Sequence, residues 1–155
     1  MRKLKVLICG AESVRDLRNA MREYWGCEVI LAADGKQACA ALLACRVDLC
    51  VLDWDLPRMT GLAACQWIRS VELKAQPYIV LLTEKNRPEQ IQAAYLAGAN
   101  DFIAKPFNLE DLHFLVSALA QKISQQDILS HELINADPLE LYRRDLTAAK
   151  TCARL

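Results

Sequence analysis

Apolar and polar stretches alternate along the chain in a unit repeated five times. Short apolar runs occupy residues 4–9, 27–32, 47–52, 78–82 and 101–104. Runs of this length between turn residues predict buried strands. The segments between them have helical spacing. Ser13 heads one that reaches about residue 25, with Leu17, Ala20, Met21 and Tyr24 on one face. Gly26 ends it. Asp34 to Gln37 (DGKQ) has the form of a capping box and opens a helix to residue 45. A third helix is expected over 61–71, with Leu62, Cys65, Trp67 and Ile68 as its apolar positions. Pro88 suits the first turn of a fourth, which reaches Ala97 and stops at Gly98. Asn108 caps a fifth that begins LEDLHFLVSAL.

Strands alternating with helices demand right-handed crossovers, so the expected fold is α/β, a doubly wound five-stranded parallel sheet with helices on both faces. Near-continuous apolar strands fit burial on both sides. In such sheets, ligands and chemistry sit just beyond the carboxyl ends of the strands. The third strand runs into Asp53, within DLCVLDWDLPRMTG at 48–61. The fourth runs into Thr83 and the fifth into Lys105-Pro106. No periodicity requires a carboxylate, a hydroxyl and an ammonium at one sheet edge. Their convergence there marks the candidate site.

Composition narrows the function classes. Of 155 residues, 19 are Lys or Arg and 19 Asp or Glu, a net charge of zero. No basic field therefore argues for nucleic acid or an anionic membrane. No apolar run approaches the roughly 20 residues that span a bilayer. The start, MRKLKVLICG, is basic then apolar, but it soon gives way to Glu12, Arg15 and Asp16 and does not read as a signal peptide. The seven cysteines include no C-x-x-C pair, and Cys9, Cys39, Cys50 and Cys65 fall at apolar positions. We expect reduced, buried thiols in a cytoplasmic protein, without a redox or zinc site.

Three motifs together, LDWDLPRMTGL around Asp53, LLT ending at Thr83 and GANDFIAKPF from Gly98 to Phe107, are highly specific. Over about residues 3–122 the chain resembles the receiver domain of a two-component response regulator. The resemblance implies a flavodoxin-like (βα)5 fold in which Asp53 is the phosphoacceptor. It assigns Thr83 and Lys105 to the same pocket, Phe102 to the aromatic switch position, and a cis peptide to Lys105-Pro106. A carboxylate attacking a phosphoryl group builds negative charge on the phosphoryl oxygens, which a cation and hydroxyl or amide donors must stabilise. Family members place an acidic pair after the first strand to hold Mg²⁺, an ion that prefers hard oxygen ligands.

Here the chain departs from the pattern. Gly10 and Ala11 stand at the acidic pair, and only Glu12 keeps a carboxylate nearby. Asp55 could add an oxygen, although the family uses mainly the backbone carbonyl at that position. We therefore expect no cofactor, a weak or absent Mg²⁺ site, poor phosphoryl transfer, and Lys105 pairing with Asp53 without competition. Phe102 lacks the hydroxyl of the more usual tyrosine and reads equally well as a core aromatic.

Residues 123–155 are expected to form a helical extension or linker, a dimerisation element, or the beginning of an output region. Ile123, Ile128, Leu129 and Leu133 could prolong the fifth helix, and Asp137-Pro138 could start a last one reaching about residue 152. SHEL at 130–133 resembles the phosphoacceptor box of histidine kinases, but the following proline comes two residues late, and His131 reads better as a solvated helix residue. DPLELYRR at 137–144 resembles the opening of diguanylate cyclase domains without their catalytic body.

The function expected is an atypical receiver, not an enzyme, acting mainly as a protein interaction module in phosphorelay signalling. Its partners would be a histidine kinase, an output domain or a target protein. A second copy could dock through the helix 4–strand 5–helix 5 face or through the tail. The alternatives are a working phosphoacceptor at Asp53 and the regulatory segment of a larger cyclase-like protein.

Overall fold

Each apolar run becomes a strand. These are β1 (Lys5–Cys9), β2 (Glu28–Ala32), β3 (Leu49–Asp53), β4 (Tyr78–Thr83) and β5 (Asp101–Ala104). The helices between them are α1 (Val14–Asn19), α2 (Gly35–Ala44), α3 (Gly61–Ser70), α4 (Pro88–Leu96) and α5 (Leu109–Asn135). The computed structural model describes residues 2–10, 14–73, 75–84 and 87–135. Ala11, Glu12 and the 137–144 segment lie outside the described residues, as do the side chains of 14, 15 and 126–135, including His131.

The five strands pair in parallel in the order β2-β1-β3-β4-β5. This is the expected flavodoxin-like, doubly wound sheet. The strand order reverses between β1 and β3, so the crevice for chemistry opens at their carboxyl ends. Strand β3 is buried along its whole length. On one sheet face Leu7, Cys9, Cys50, Leu52, Ile79 and Leu81 pack with Ala38 and Leu42 of α2 and Ala64, Cys65 and Ile68 of α3. The four thiols expected in the core, Cys9, Cys39, Cys50 and Cys65, are buried and unpaired.

Caps set the helix starts. Asp34 Oδ1 accepts from the Gln37 amide at 2.8 Å, and Gln37 Oε1 accepts from the Ala33 amide at 2.9 Å. The forward half of the DGKQ capping box is thus present, while the return bond from Gln37 goes one residue ahead of the cap, to Ala33 in place of Asp34. Thr60 caps α3 by accepting from the Ala63 amide at 3.1 Å.

Most element bounds fall within a residue of the expected ones, and two elements depart further. The first helix is not continuous to residue 25, because residues 20–24 form a π-helical turn. The Trp25 amide reaches back five residues to the Ala20 carbonyl at 3.2 Å. The extra residue rotates the positions beyond it about the helix axis. Ala20 and Met21 stay buried, but Tyr24, expected on the apolar face, is 81% exposed. Trp25 then meets the His113 ring with centroids 5.0 Å apart. Strand β3 begins later than expected and runs one residue further, so Asp53 is the last rung of the ladder, opposite Leu82.

Arg69 ties together the other end of the sheet. Its guanidinium donates to the carbonyls of Gly98 at 2.8 Å and Pro77 at 2.9 Å, and to Asn100 Oδ1 at 2.7 Å and Gln76 Oε1 at 2.9 Å. Asn100 Oδ1 also accepts from the Ile79 amide at 2.8 Å. One side chain of α3 thereby fixes the start of β4 and the turn before β5.

The chain divides into two compact units, Met1–His113 and Phe114–Leu155. The first holds the sheet, with Asp53, Thr83 and Lys105 at its carboxyl edge. In the second, α5 continues helical to Asn135 past residue 122, through Ile123, Ile128, Leu129 and Leu133. Among the described residues no helix is long and apolar enough to cross a membrane.

Candidate functional site

Three strand ends build the site. Beyond β3 the Trp54 amide donates to the Leu82 carbonyl at 2.8 Å, and beyond β5 the Lys105 amide donates to the Thr83 carbonyl at 2.8 Å. The ladder therefore continues past the last apolar residues and sets Asp53, Thr83 and Lys105 along one edge. Asp53 and Thr83 are 2% and 3% exposed.

The Asp53 carboxylate is occupied on both oxygens. Oδ1 accepts from the Asp55 amide at 3.1 Å. Oδ2 accepts from Lys105 Nζ in a short charged hydrogen bond. The pairing expected from the sequence is thus present, and it is nearly buried on both sides. A buried carboxylate needs such partners, because an isolated charge out of water is very costly.

The loop after Asp53 leaves no slack. The Gly61 amide donates to the Trp54 carbonyl at 2.9 Å. A Cβ on Gly61 would lie 2.2 Å from the Asp53 carbonyl oxygen, so only glycine admits this approach. Within the loop the Met59 amide closes a three-residue turn onto the Pro57 carbonyl at 2.8 Å, and the central Arg58 has φ 67°. Such turns with positive φ are rare and strained. The Arg58 guanidinium lies 3.7 Å from Asp34 Oδ2.

Asp34 is 6% exposed. It and Asp53 both act on the Cys9 thiol at the end of β1. Burial first, then the Asp34 and Asp53 carboxylates, push that thiol up to about 12. Asp34 and Arg58 were not candidates in the sequence. The capping box showed Asp34 only as a helix start, and nothing in the sequence signalled a left-handed arginine.

The other candidates fall around this pair. Asp55 is exposed and contributes its amide to Asp53. Gly10 comes directly after β1 and has no side-chain ligand. The Lys105-Pro106 peptide is cis. Phe102 is half-buried, packs against the core cluster and meets Tyr95 edge-on. Beside Lys105 opens a cleft of about 670 Å³ lined by Asp16, Leu17, Glu84, Pro106, Phe107 and Leu109. Among the described residues no group of three or more His, Cys, Asp or Glu side chains is placed to hold a metal ion.

A buried carboxylate, an ammonium and a hydroxyl thus stand at the ends of β3, β5 and β4 on a flavodoxin-like sheet. The family model for the response regulator receiver domain matches residues 10–117, and the chain belongs to that family. It is 34% identical over 124 residues to the transcriptional regulatory protein RprY of Bacteroides fragilis, across 78% of this chain and 51% of RprY. The chain spans about half the length of the curated relatives it matches. The receiver domain of the sensor histidine kinase PA1611 from Pseudomonas aeruginosa, solved with magnesium in its active-site cleft, superposes with TM-score 0.67 at 28% identity, covering 76% of this chain and 98% of that one. The receiver domain of Saccharomyces cerevisiae Ssk1, solved with the histidine phosphotransfer protein Ypd1, superposes with TM-score 0.66 at 27% identity, covering 74% and 87%.

Proposed function

We propose that this receiver domain is atypical, acting mainly by docking a protein partner and depending little on phosphorylation of Asp53. One observation carries the reading: Asp53 Oδ2 is engaged by Lys105 and Oδ1 by the Asp55 amide, while Gly10 and Ala11 stand where the family keeps its acidic metal ligands. A nucleophilic carboxylate must present a lone pair to phosphorus, and the transition state needs a divalent cation or its equivalent. With one basic partner already spent on the ground state, the pocket favours the ion pair over transfer. The neighbours suggest the class of partner: Ssk1 is a receiver seen with a phosphotransfer protein, and RprY is named a transcriptional regulator. A histidine kinase, a phosphotransfer protein or an output domain is the partner this reading requires. A second copy docking at the α4–β5 surface, where Leu96 is 80% exposed, is a further arrangement of the same module. The test is incubation with acetyl phosphate and Mg²⁺, followed by intact mass. The expected result is no appreciable adduct. A Mg²⁺-dependent gain of one phosphoryl group, lost in Asp53→Ala, overturns the reading.

The second reading is a working phosphoacceptor. It is favoured by the convergence of Asp53, Thr83 and Lys105 at one edge and by the magnesium in the PA1611 neighbour. The same incubation separates the two.

A further inference from the structure

Phe102 stands on β5, whose residues are all only partly buried. Its register partner is Leu81, and two residues along the same strands Ala104 faces Thr83. Because side chains alternate along a strand, Phe102 shares its sheet face with the pocket hydroxyl. The ring has no polar end to satisfy, so every side of it seeks apolar contact. One side packs on the core cluster. On α4, Tyr95 meets the ring edge-on, with centroids 6.1 Å apart and planes at 83°. Edge-to-face pairs at this separation attract beyond the area they bury. Tyr95 is itself 48% exposed, so its own packing does not explain its place.

We propose that Tyr95 is a positioning residue that fixes the Phe102 ring in one rotamer, so that α4 and β5 are set against each other by this aromatic pair and not by what occupies Asp53. The independence from Asp53 rests on the functional reading of an atypical receiver. Three-bond couplings from Phe102 Cγ to the backbone nitrogen and carbonyl carbon measure its rotamer populations in solution. Wild type and Tyr95→Phe are expected to show one rotamer. In Tyr95→Leu the minor rotamer is expected to rise about fivefold, the scale of a single aromatic pair. Tyr95→Met serves if the leucine variant does not fold. Unchanged Phe102 populations in the aliphatic variant, or several rotamers in wild type, overturn the proposal, whereas a rise without loss of stability supports it. Repeating the measurement with Mg²⁺ and beryllofluoride separates the two ideas. A shift of Phe102 in wild type defeats the independence from Asp53 and the functional reading with it, yet leaves the Tyr95 contact standing if Tyr95→Leu still frees the ring.

Discussion

Replacing Gly61 with alanine sets two effects of opposite sign against each other. Gly61 is the first residue of α3, and in a helix alanine is preferred to glycine by about 1 kcal/mol. On propensity alone the variant is more stable. The added Cβ, however, would lie 2.2 Å from the Asp53 carbonyl oxygen, 2.9 Å from its carbon and 3.1 Å from Trp54 Cα. All three are backbone atoms, so no rotamer change relieves the overlap. The start of α3 has to back away by about 1 Å to reach ordinary contact distance. Overpacking of this kind costs about 1–3 kcal/mol. The same movement stretches the 2.9 Å hydrogen bond from the Gly61 amide to Trp54, worth about 1 kcal/mol. The clash wins, and the net loss is about 2 kcal/mol after the helix preference is subtracted. Urea unfolding tracked by tryptophan fluorescence and circular dichroism reads it. With a slope of about 2 kcal/mol per molar, the midpoint falls by about 1 M at unchanged slope. A midpoint equal to or above wild type would refute the reasoning, because the Asp53–Gly61 approach would then yield freely.

Three further outcomes are expected. Lys105→Met removes the ammonium from the buried Asp53 carboxylate, leaving the Asp55 amide as its partner among the described residues, and costs about 3 kcal/mol, whereas Asp53→Asn lets Lys105 turn to water and costs about 1 kcal/mol; thermal melts giving equal losses contradict this asymmetry. Arg69→Met removes four hydrogen bonds that join α3 to β4 and β5 and lowers stability by about 3 kcal/mol, with Arg69→Lys recovering less than half, since an ammonium lacks the planar fork; full rescue by lysine in a denaturant titration would count against it. Burial raises Cys65 to about 11 and, with nearby carboxylates, Cys9 to about 12, from an ordinary 9.0. The folded state thus holds these protons more tightly than the unfolded state. That contribution is fully present below pH 9.0 and is lost as the pH rises from there through about 11 and 12. A stability–pH curve still flat above pH 10 would disprove it, as would native-state labelling of Cys9 by a thiol reagent at neutral pH.

The five strands and the site edge were legible because apolar runs and their polar terminators are local. The fifth strand was read at its observed bounds, and the Asp34–Gln37 box had only one physical reading. What escaped depends on backbone geometry or on distant partners. A hydrophobic stripe does not distinguish a fourth-residue from a fifth-residue hydrogen bond, so the π-helical turn at residues 20–24 was read as plain helix and Tyr24 was placed on the wrong face. The end of β3 was set at Leu52 because Asp53 is polar, although its backbone still pairs with Leu82. Nothing local singles out Arg69, since its partners Gly98 and Asn100 lie some thirty positions away in sequence.

The main chain at Asp53 is held on both flanks, by a hydrogen-bonded neighbour strand and by a glycine pressed against its carbonyl. It has almost nowhere to travel. A change of occupancy at this carboxylate therefore falls on side chains and not on the backbone that carries it.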